Sequence, residues 1–205
     1  MGKKYTFIHP TKSGGTALER YFEKHYSDYI VGRWHNNICT DHNNPIIVVR
    51  DVKSRFHSMF KYWKNGATQG EYQRDIGWLT KYKKITIYDF IEMIKNNKQE
   101  LYTIFTKPVH FANTTHWIDP NMSYKNIIII KYEEDLNMKI QKLINTLGIE
   151  NKNIPVPKIN VSKNNDTEYD DDDKVINDFI NQYFKSDIEL INKINNNPEL
   201  FKLVI

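Results

Sequence analysis

The sequence predicts an α/β chain with a central parallel sheet flanked by helices. The continuous apolar run 46–49 and the four consecutive isoleucines within 126–131 are typical of parallel strands that are covered on both faces. Segments with helical spacing of apolar residues alternate with these runs, and that alternation indicates a parallel sheet. No linker rich in Pro, Gly or Ser divides the 205 residues, so we expect a single domain over 1–205.

Each element has a local signal. Asp51 stands where an N-cap would precede a helix, and Gly148 follows the last apolar position of another helix, where a glycine ends it. Pro155 and Pro157 indicate an extended segment. In chain order we expect strand 4–9, loop 10–15, a helix from Thr16, strand 46–49, helix 52–63, helix 87–94, strand 126–131, helix 136–147 and helical structure over 174–194.

Composition excludes several classes of protein. Cys39 is the only cysteine, so no intramolecular disulfide forms and nothing implies an oxidising compartment. The sequence has no apolar run of 18 residues, and its first residues lack the apolar stretch of a signal peptide, so we expect a soluble cytoplasmic protein without a membrane anchor. The net charge of +4 favours an anionic small ligand, whereas scattered basic residues without a recognition motif argue against nucleic acid.

Residues 7–18, F-I-H-P-T-K-S-G-G-T-A-L, carry a strand through a glycine-containing turn directly into a helix. The backbone N–H groups of Ser13, Gly14, Gly15, Thr16 and Ala17 are expected to converge at the positive end of that helix, which is the geometry of a phosphate site. The alternative is a tight strand–helix turn that merely needs glycine. In nucleotide kinases a lysine follows the glycines, whereas Lys12 precedes them here, so the kinase loop is absent.

Two motifs resemble the sulfotransferases that use 3′-phosphoadenosine 5′-phosphosulfate (PAPS). The run K-S-G-G-T from Lys12 is similar to their 5′-phosphosulfate loop, which in carbohydrate members reads close to H-I-P-K-T-G-G-T-S. Residues 46–60, I-I-V-V-R-D-V-K-S-R-F-H-S-M-F, resemble their 3′-phosphate motif, V-R-D-P-x-x-R-F-x-S. The resemblance implies a P-loop-like sulfotransferase fold in which Arg50 and Ser58 bind the 3′-phosphate. We interpret Asp51 and Arg55 as structural, a helix cap and an ion-pair partner.

Weaker similarities continue in the same order along the chain. Residues 109–118 resemble h-x-x-Q-x-x-[WF]-[IL] with Thr114 at the Gln position, and 126–136 resemble a strand–helix step of the family. Residues 154–163 are similar to a late L-P-x-x-N-x-S-K segment, so Ser162 and Lys163 are expected to bind the donor. Residues 179–191 resemble the closing helix pattern Y-x-x-D-[IL].

The resemblance implies transfer of a sulfuryl group from PAPS to an acceptor hydroxyl, expected on a carbohydrate, with 3′-phosphoadenosine 5′-phosphate (PAP) as product. Lys12 is expected to meet the charge that develops on the leaving oxygen. His35 is expected to be the general base, because related sugar sulfotransferases often have a histidine in the loop before this strand; His42 and a carboxylate such as Glu71 or Asp75 are the alternatives. No metal is expected, since the sequence has no metal-ligand spacing.

Two other functions remain open at this stage. A nucleotide- or glycan-binding module of the same fold would bind without turnover. A P-loop kinase would require magnesium and the missing lysine.

Overall fold

The computed structural model describes residues 4–33, 44–65, 81–82, 84–103, 108–132, 135–157 and 173–205. Five strands form one sheet in the order β2-β1-β3-β4-β5, and every neighbouring pair is parallel. This confirms the predicted α/β class with a parallel sheet. The strands are β1 (Tyr5–Ile8), β2 (Ile30–Gly32), β3 (Pro45–Val49), β4 (Ile128–Lys131) and β5 (Leu203–Val204).

The bounds of the helices follow the predicted segments closely. The described α-helices of more than two residues are α1 (Gly15–Tyr26), α2 (Val52–Lys64), α3 (Ile87–Lys95), α4 (Leu136–Thr146), α5 (Lys174–Tyr183) and α6 (Lys185–Asn196). Short 3-10 helices occur at Gln99–Thr103, Pro108–Phe111, Thr114–Trp117, Tyr124–Asn126 and Pro198–Leu200. Within the described parts of the chain, no helix is long and apolar enough to cross a membrane.

The predicted helical segment 174–194 is two helices. It breaks at Phe184, whose backbone angles of φ −105° and ψ 27° leave the helical region. Gly148 ends α4 as predicted: it adopts φ +68°, and Ile149 donates its N–H to the carbonyl of Ile144 at 3.0 Å.

The described residues group into two compact units. The first lies within Met1–Asp51, Asn113–Ile159 and Ser186–Ile205, and the second within Val52–Ala112 and Asn160–Lys185. The units alternate along the sequence, so no single cut of the chain separates them. The prediction of one domain over 1–205 stays a prediction.

The first unit is built around the sheet. On one face, residues in register across the central strands (Phe7, Ile46 and Ile128) are fully buried. Apolar side chains of α1 and α4 cover this face, among them Leu18, Phe22, Ile140, Leu143 and Ile144. The alternate strand residues Ile8, Ile47 and Ile129 are buried as well. Burial on both faces explains why these strands read as continuous apolar runs.

The second unit has an aromatic core. Phe90 of α3 lies 5.4 Å from both Phe60 and Trp63 of α2, measured between ring centroids, and Phe56 lies 5.4 Å from Phe179 of α5. These contacts match the helical spacing that predicts α2.

Candidate anion-binding site

The strand order of the sheet determines where on the sheet a ligand can bind. In the order β2-β1-β3-β4-β5, the connections from β1 and from β3 leave toward opposite edges of the sheet. Open parallel sheets bind ligands outside the carboxyl ends of their strands at such a switch point. Here the loop after β1 and Arg50, the residue after β3, meet: the Nη1 of Arg50 donates to the carbonyl of Lys12 at 3.2 Å.

Neither Gly14 nor Gly15 of the loop has room for a side chain. Gly14 adopts φ +82°, a conformation that side chains disfavour, and a Cβ at this position would overlap the ring of Tyr132. A Cβ on Gly15 would overlap the ring of His9. The loop is therefore packed closely from two sides, by the residue after β1 and by the residue after β4.

The first turn of α1 presents backbone donors at the loop. Gly14 is the N-cap and offers no side chain, no side chain caps this helix end, and no acidic residue lies in the first turn. The amides of Gly15, Thr16 and Ala17 therefore have no acceptor within the helix, and the helix dipole adds positive potential there. An oxyanion would find both donors and favourable potential at this end.

The sequence predicts that the N–H of Ser13 joins the amides at the start of α1, and the structure places it elsewhere. Its amide donates to the carbonyl of Pro10 at 3.2 Å, and its hydroxyl donates to the same carbonyl at 2.6 Å. Both donors of this buried residue are engaged inside the turn, so Ser13 stabilises the loop instead of adding its N–H to the helix donors.

Two cationic side chains lie at the loop. Lys12 and Arg50 are both half-buried, and the guanidinium of Arg50 also stands 5.3 Å from the centroid of the Tyr132 ring. Burial of the ammonium, and then the charge of Arg50, lower the pKa of Lys12 from 10.5 to about 8. A bound anion would offset the repulsion between these two cations.

A buried hydrogen bond between His9 and Glu19 supports the loop. The Nε2 of His9 lies 2.7 Å from the Oε2 of Glu19, with exposed side-chain fractions of 1% and 0%. Because His9 directly follows β1 and Glu19 belongs to α1, the pair joins the strand to the helix across the glycine turn. The Glu19 side chain also occupies the space that a Cβ on Gly32 would need.

The remaining residues of the second motif lie in or beside the second unit. Ser58 is half-buried on α2, and its role as a phosphate donor stays a prediction. Asp51 directly precedes α2, the position of an N-cap. Arg55 is 1% exposed, donates to the carbonyl of Ala112 at 2.8 Å and lies 5.8 Å from the Phe184 ring, which agrees with a structural role.

Several predicted site residues lie outside the described residues. These are the proposed base His35, its alternatives His42, Glu71 and Asp75, and the late donor-binding residues Ser162 and Lys163. Among the residues that are described, no group of three His, Cys, Asp or Glu side chains could hold a metal ion.

Two of the weaker sequence similarities meet in space. Asp187, 1% exposed on α6, accepts hydrogen bonds from the backbone N–H and, at 3.1 Å, from the hydroxyl of Thr114. Thr115 donates to the hydroxyl of Ser186 at 3.1 Å. Thr114 therefore fixes the start of its 3-10 helix to α6, a structural role.

Sequence reasoning missed Tyr132 and the His9–Glu19 pair. The position of Tyr132, directly after a buried parallel strand, is a usable signal, because the carboxyl ends of such strands share one edge. The pairing of His9 with Glu19 spans ten residues and a turn, so no local periodicity reveals it.

Comparison of the chain with family models, with curated proteins and with solved structures finds no match. The case for function therefore depends on the residues and their geometry.

Proposed function

We propose that the protein is a PAPS-dependent sulfotransferase that transfers a sulfuryl group to an acceptor hydroxyl, on a carbohydrate. The observation that carries this proposal is the meeting of Lys12, Arg50 and the uncapped start of α1 at the switch point of the sheet. A donor with two anionic groups suits a site that has a loop of backbone amides and a separate arginine.

The position of the lysine favours sulfuryl over phosphoryl transfer. Thr16 follows the glycines where a kinase loop has its lysine, and Lys12 stands before them. In the proposed reaction a bond forms between the acceptor oxygen and sulfur while the bond from sulfur to the bridging phosphate oxygen breaks. Lys12 stabilises the negative charge on that leaving oxygen, and PAP is released.

The acceptor hydroxyl must lose its proton as the new bond forms. We assign the removal of this proton to His35, with His42 as the alternative general base, because a neutral imidazole suits proton removal near pH 7. The proposal needs no metal and places the enzyme in the cytoplasm.

The proposal is tested by transfer of radiolabelled sulfate from PAPS to a panel of carbohydrate acceptors. We expect turnover by the wild type, a loss of about 100-fold or more in His35→Ala, and near-wild-type turnover in His42→Ala. Lys12→Met should also lose turnover, whereas Lys24→Met, at an exposed position on α1, should not.

Three outcomes would contradict the proposal or the assignment of its base. PAP binding without transfer to any acceptor would identify an inactive binding module, and transfer of phosphate from Mg-ATP would identify a kinase. Equal loss in His35→Ala and His42→Ala would leave the base unassigned to either histidine.

A further inference from the structure

The amine of Lys12 has the surroundings of a nucleophile. The Nη1 of Arg50 donates to the backbone carbonyl of Lys12 at 3.2 Å, and both side chains are half-buried. Burial of the Lys12 ammonium, and then the charge of Arg50, lower the pKa of Lys12 to about 8. Removal from water and a neighbouring cation are the two conditions that activate a lysine for covalent chemistry in proteins.

The neutral amine is the reactive form of a lysine. At about pH 8, half of the Lys12 side chains are neutral, compared with roughly 0.3% of side chains at the ordinary lysine pKa of 10.5. Because Lys12 is half-buried, a small electrophile reaches this amine more readily than a large one does.

The surroundings of Lys12 favour an electrophile whose adduct is an anion. The planar guanidinium of Arg50 can pair with a carboxylate-like group through two parallel hydrogen bonds. The first turn of α1, which the structure describes in full, contains no acidic residue that would repel a new negative charge. Carbon dioxide meets these conditions, because it is small and its adduct with an amine is a carbamate, which ends in a planar anionic group like that of a carboxylate.

The reaction balances without a further reagent. The neutral amine attacks the carbon of carbon dioxide, so that a nitrogen–carbon bond forms while one carbon–oxygen π bond breaks and its electron pair moves to oxygen. The nitrogen then releases a proton to solvent. A negative charge replaces the positive charge of the Lys12 side chain, and the repulsion from Arg50 becomes an attraction.

We propose that Lys12 is a carbon dioxide site, at which carbon dioxide forms a carbamate on the side-chain nitrogen and the guanidinium of Arg50 binds that carbamate. The site needs only Lys12 and Arg50, so the inference does not depend on sulfuryl transfer. One consequence does rest on the proposed function: the carbamate removes the cation that meets the leaving oxygen, so carbon dioxide would inhibit the sulfotransferase.

The test is ¹³C NMR of the ¹⁵N-labelled protein with ¹³C-labelled bicarbonate, the source of dissolved carbon dioxide, at about pH 8. The carbon of a carbamate is bonded to nitrogen and its signal is split by ¹⁵N, whereas bound bicarbonate gives no such splitting. We expect a saturable split signal in the wild type and its loss in Lys12→Met. Lys24→Met, at an exposed position on α1, should keep it.

Arg50→Gln tests the role of the guanidinium. Loss of its charge and hydrogen bonds should raise the half-saturating concentration of carbon dioxide about tenfold or more, whereas Arg20→Gln, at a half-buried arginine of α1, should change it less than twofold. The Tm of each variant shows whether it is folded. If Arg50→Gln does not fold, Arg50→Lys takes its place and should weaken the adduct in the same direction, because lysine cannot form the two parallel hydrogen bonds.

Three results would overturn the proposal: no split signal in the wild type, a split signal of equal intensity in Lys12→Met, or equal half-saturation in the wild type and the Arg50 variant. Sulfate transfer from PAPS is measured separately, without added bicarbonate. Transfer without a carbamate signal would support the proposed function and overturn this inference. A carbamate signal without transfer would support this inference and contradict the proposed function.

Discussion

Lys12 combines an unusual backbone conformation, a hydrogen bond to Arg50 and a shifted pKa. Its backbone takes a left-handed φ of +61°, and its carbonyl accepts a hydrogen bond from Arg50. Burial of its ammonium, and then the charge of that guanidinium, lower its pKa to about 8. A cation placed beside another cation costs stability, a pattern common where a site is arranged for binding.

Removing this charge should stabilise the protein. At pH 7 the folded chain holds a protonated Lys12 beside Arg50, and Lys12→Met keeps the stem but removes the repulsion. We expect its Tm at pH 7 to rise by about 2–4 °C, the shift that 1 kcal/mol produces in a chain of this size. Lys24→Met is the control and should leave the Tm unchanged.

The sign of the pH dependence follows from the lowered pKa. Between about pH 8 and pH 10.5 the unfolded chain keeps the Lys12 proton that the folded chain releases. This group therefore adds stability as the pH rises through that window, and the advantage of Lys12→Met should shrink there. A lower Tm for Lys12→Met at pH 7 would show that the ammonium is stabilising.

Anion binding should draw a proton onto Lys12. At pH 8 about half of these side chains are protonated in the free protein, and a bound phosphate would raise the pKa. Calorimetry in buffers of different ionisation enthalpy should give uptake of up to about half a proton per PAP at pH 8, where the phosphates are already ionised. Equal uptake by the wild type and Lys12→Met would assign the proton to another group.

At the scale of elements, the strand–loop–helix segment from β1 to α1 is held by close packing on both sides. Tyr132, which follows β4, packs on Gly14, and the buried His9–Glu19 pair joins the strand to the helix. The loop conformation therefore depends on the sheet beneath it as well as on its own glycines.

Gly14→Ala should weaken both the fold and the site. The new methyl group would require φ +82° from an alanine and would overlap Tyr132, so we expect a loss of about 1–3 kcal/mol in the free energy of unfolding, measured with urea. Gly148→Ala is the matched control, since Gly148 also has positive φ but nothing lies within 4 Å of its Cβ position. Equal losses in both variants would show that the Tyr132 contact contributes nothing.

At the scale of the whole molecule, sequence reasoning predicted the centre of the sheet and missed its edges. β1, β3 and β4 are visible because burial on both faces selects apolar residues at every position. β2 and β5 have only three and two residues and each pairs with one neighbour, so no periodicity reveals them. The break at Phe184 was missed because the apolar spacing of α5 and α6 continues across it.

The same distinction applies to the site. Lys12, Gly14 and Gly15 form a local motif, and Arg50 ends a recognisable strand, so their sequence positions are informative. Tyr132 and the His9–Glu19 pair act through tertiary contacts, which a pattern along the chain does not contain.

The central claim is that the loop after β1 and Arg50 bind a nucleotide that carries two separate phosphate groups. Its most direct test is the Tm of the wild type with PAP in the presence of EDTA, compared with the Tm with Mg-ATP. At 100 times its Kd, PAP should stabilise the fold by about 2.7 kcal/mol, which corresponds to roughly 5–10 °C. A Tm that is unchanged by PAP but rises with Mg-ATP would contradict the claim.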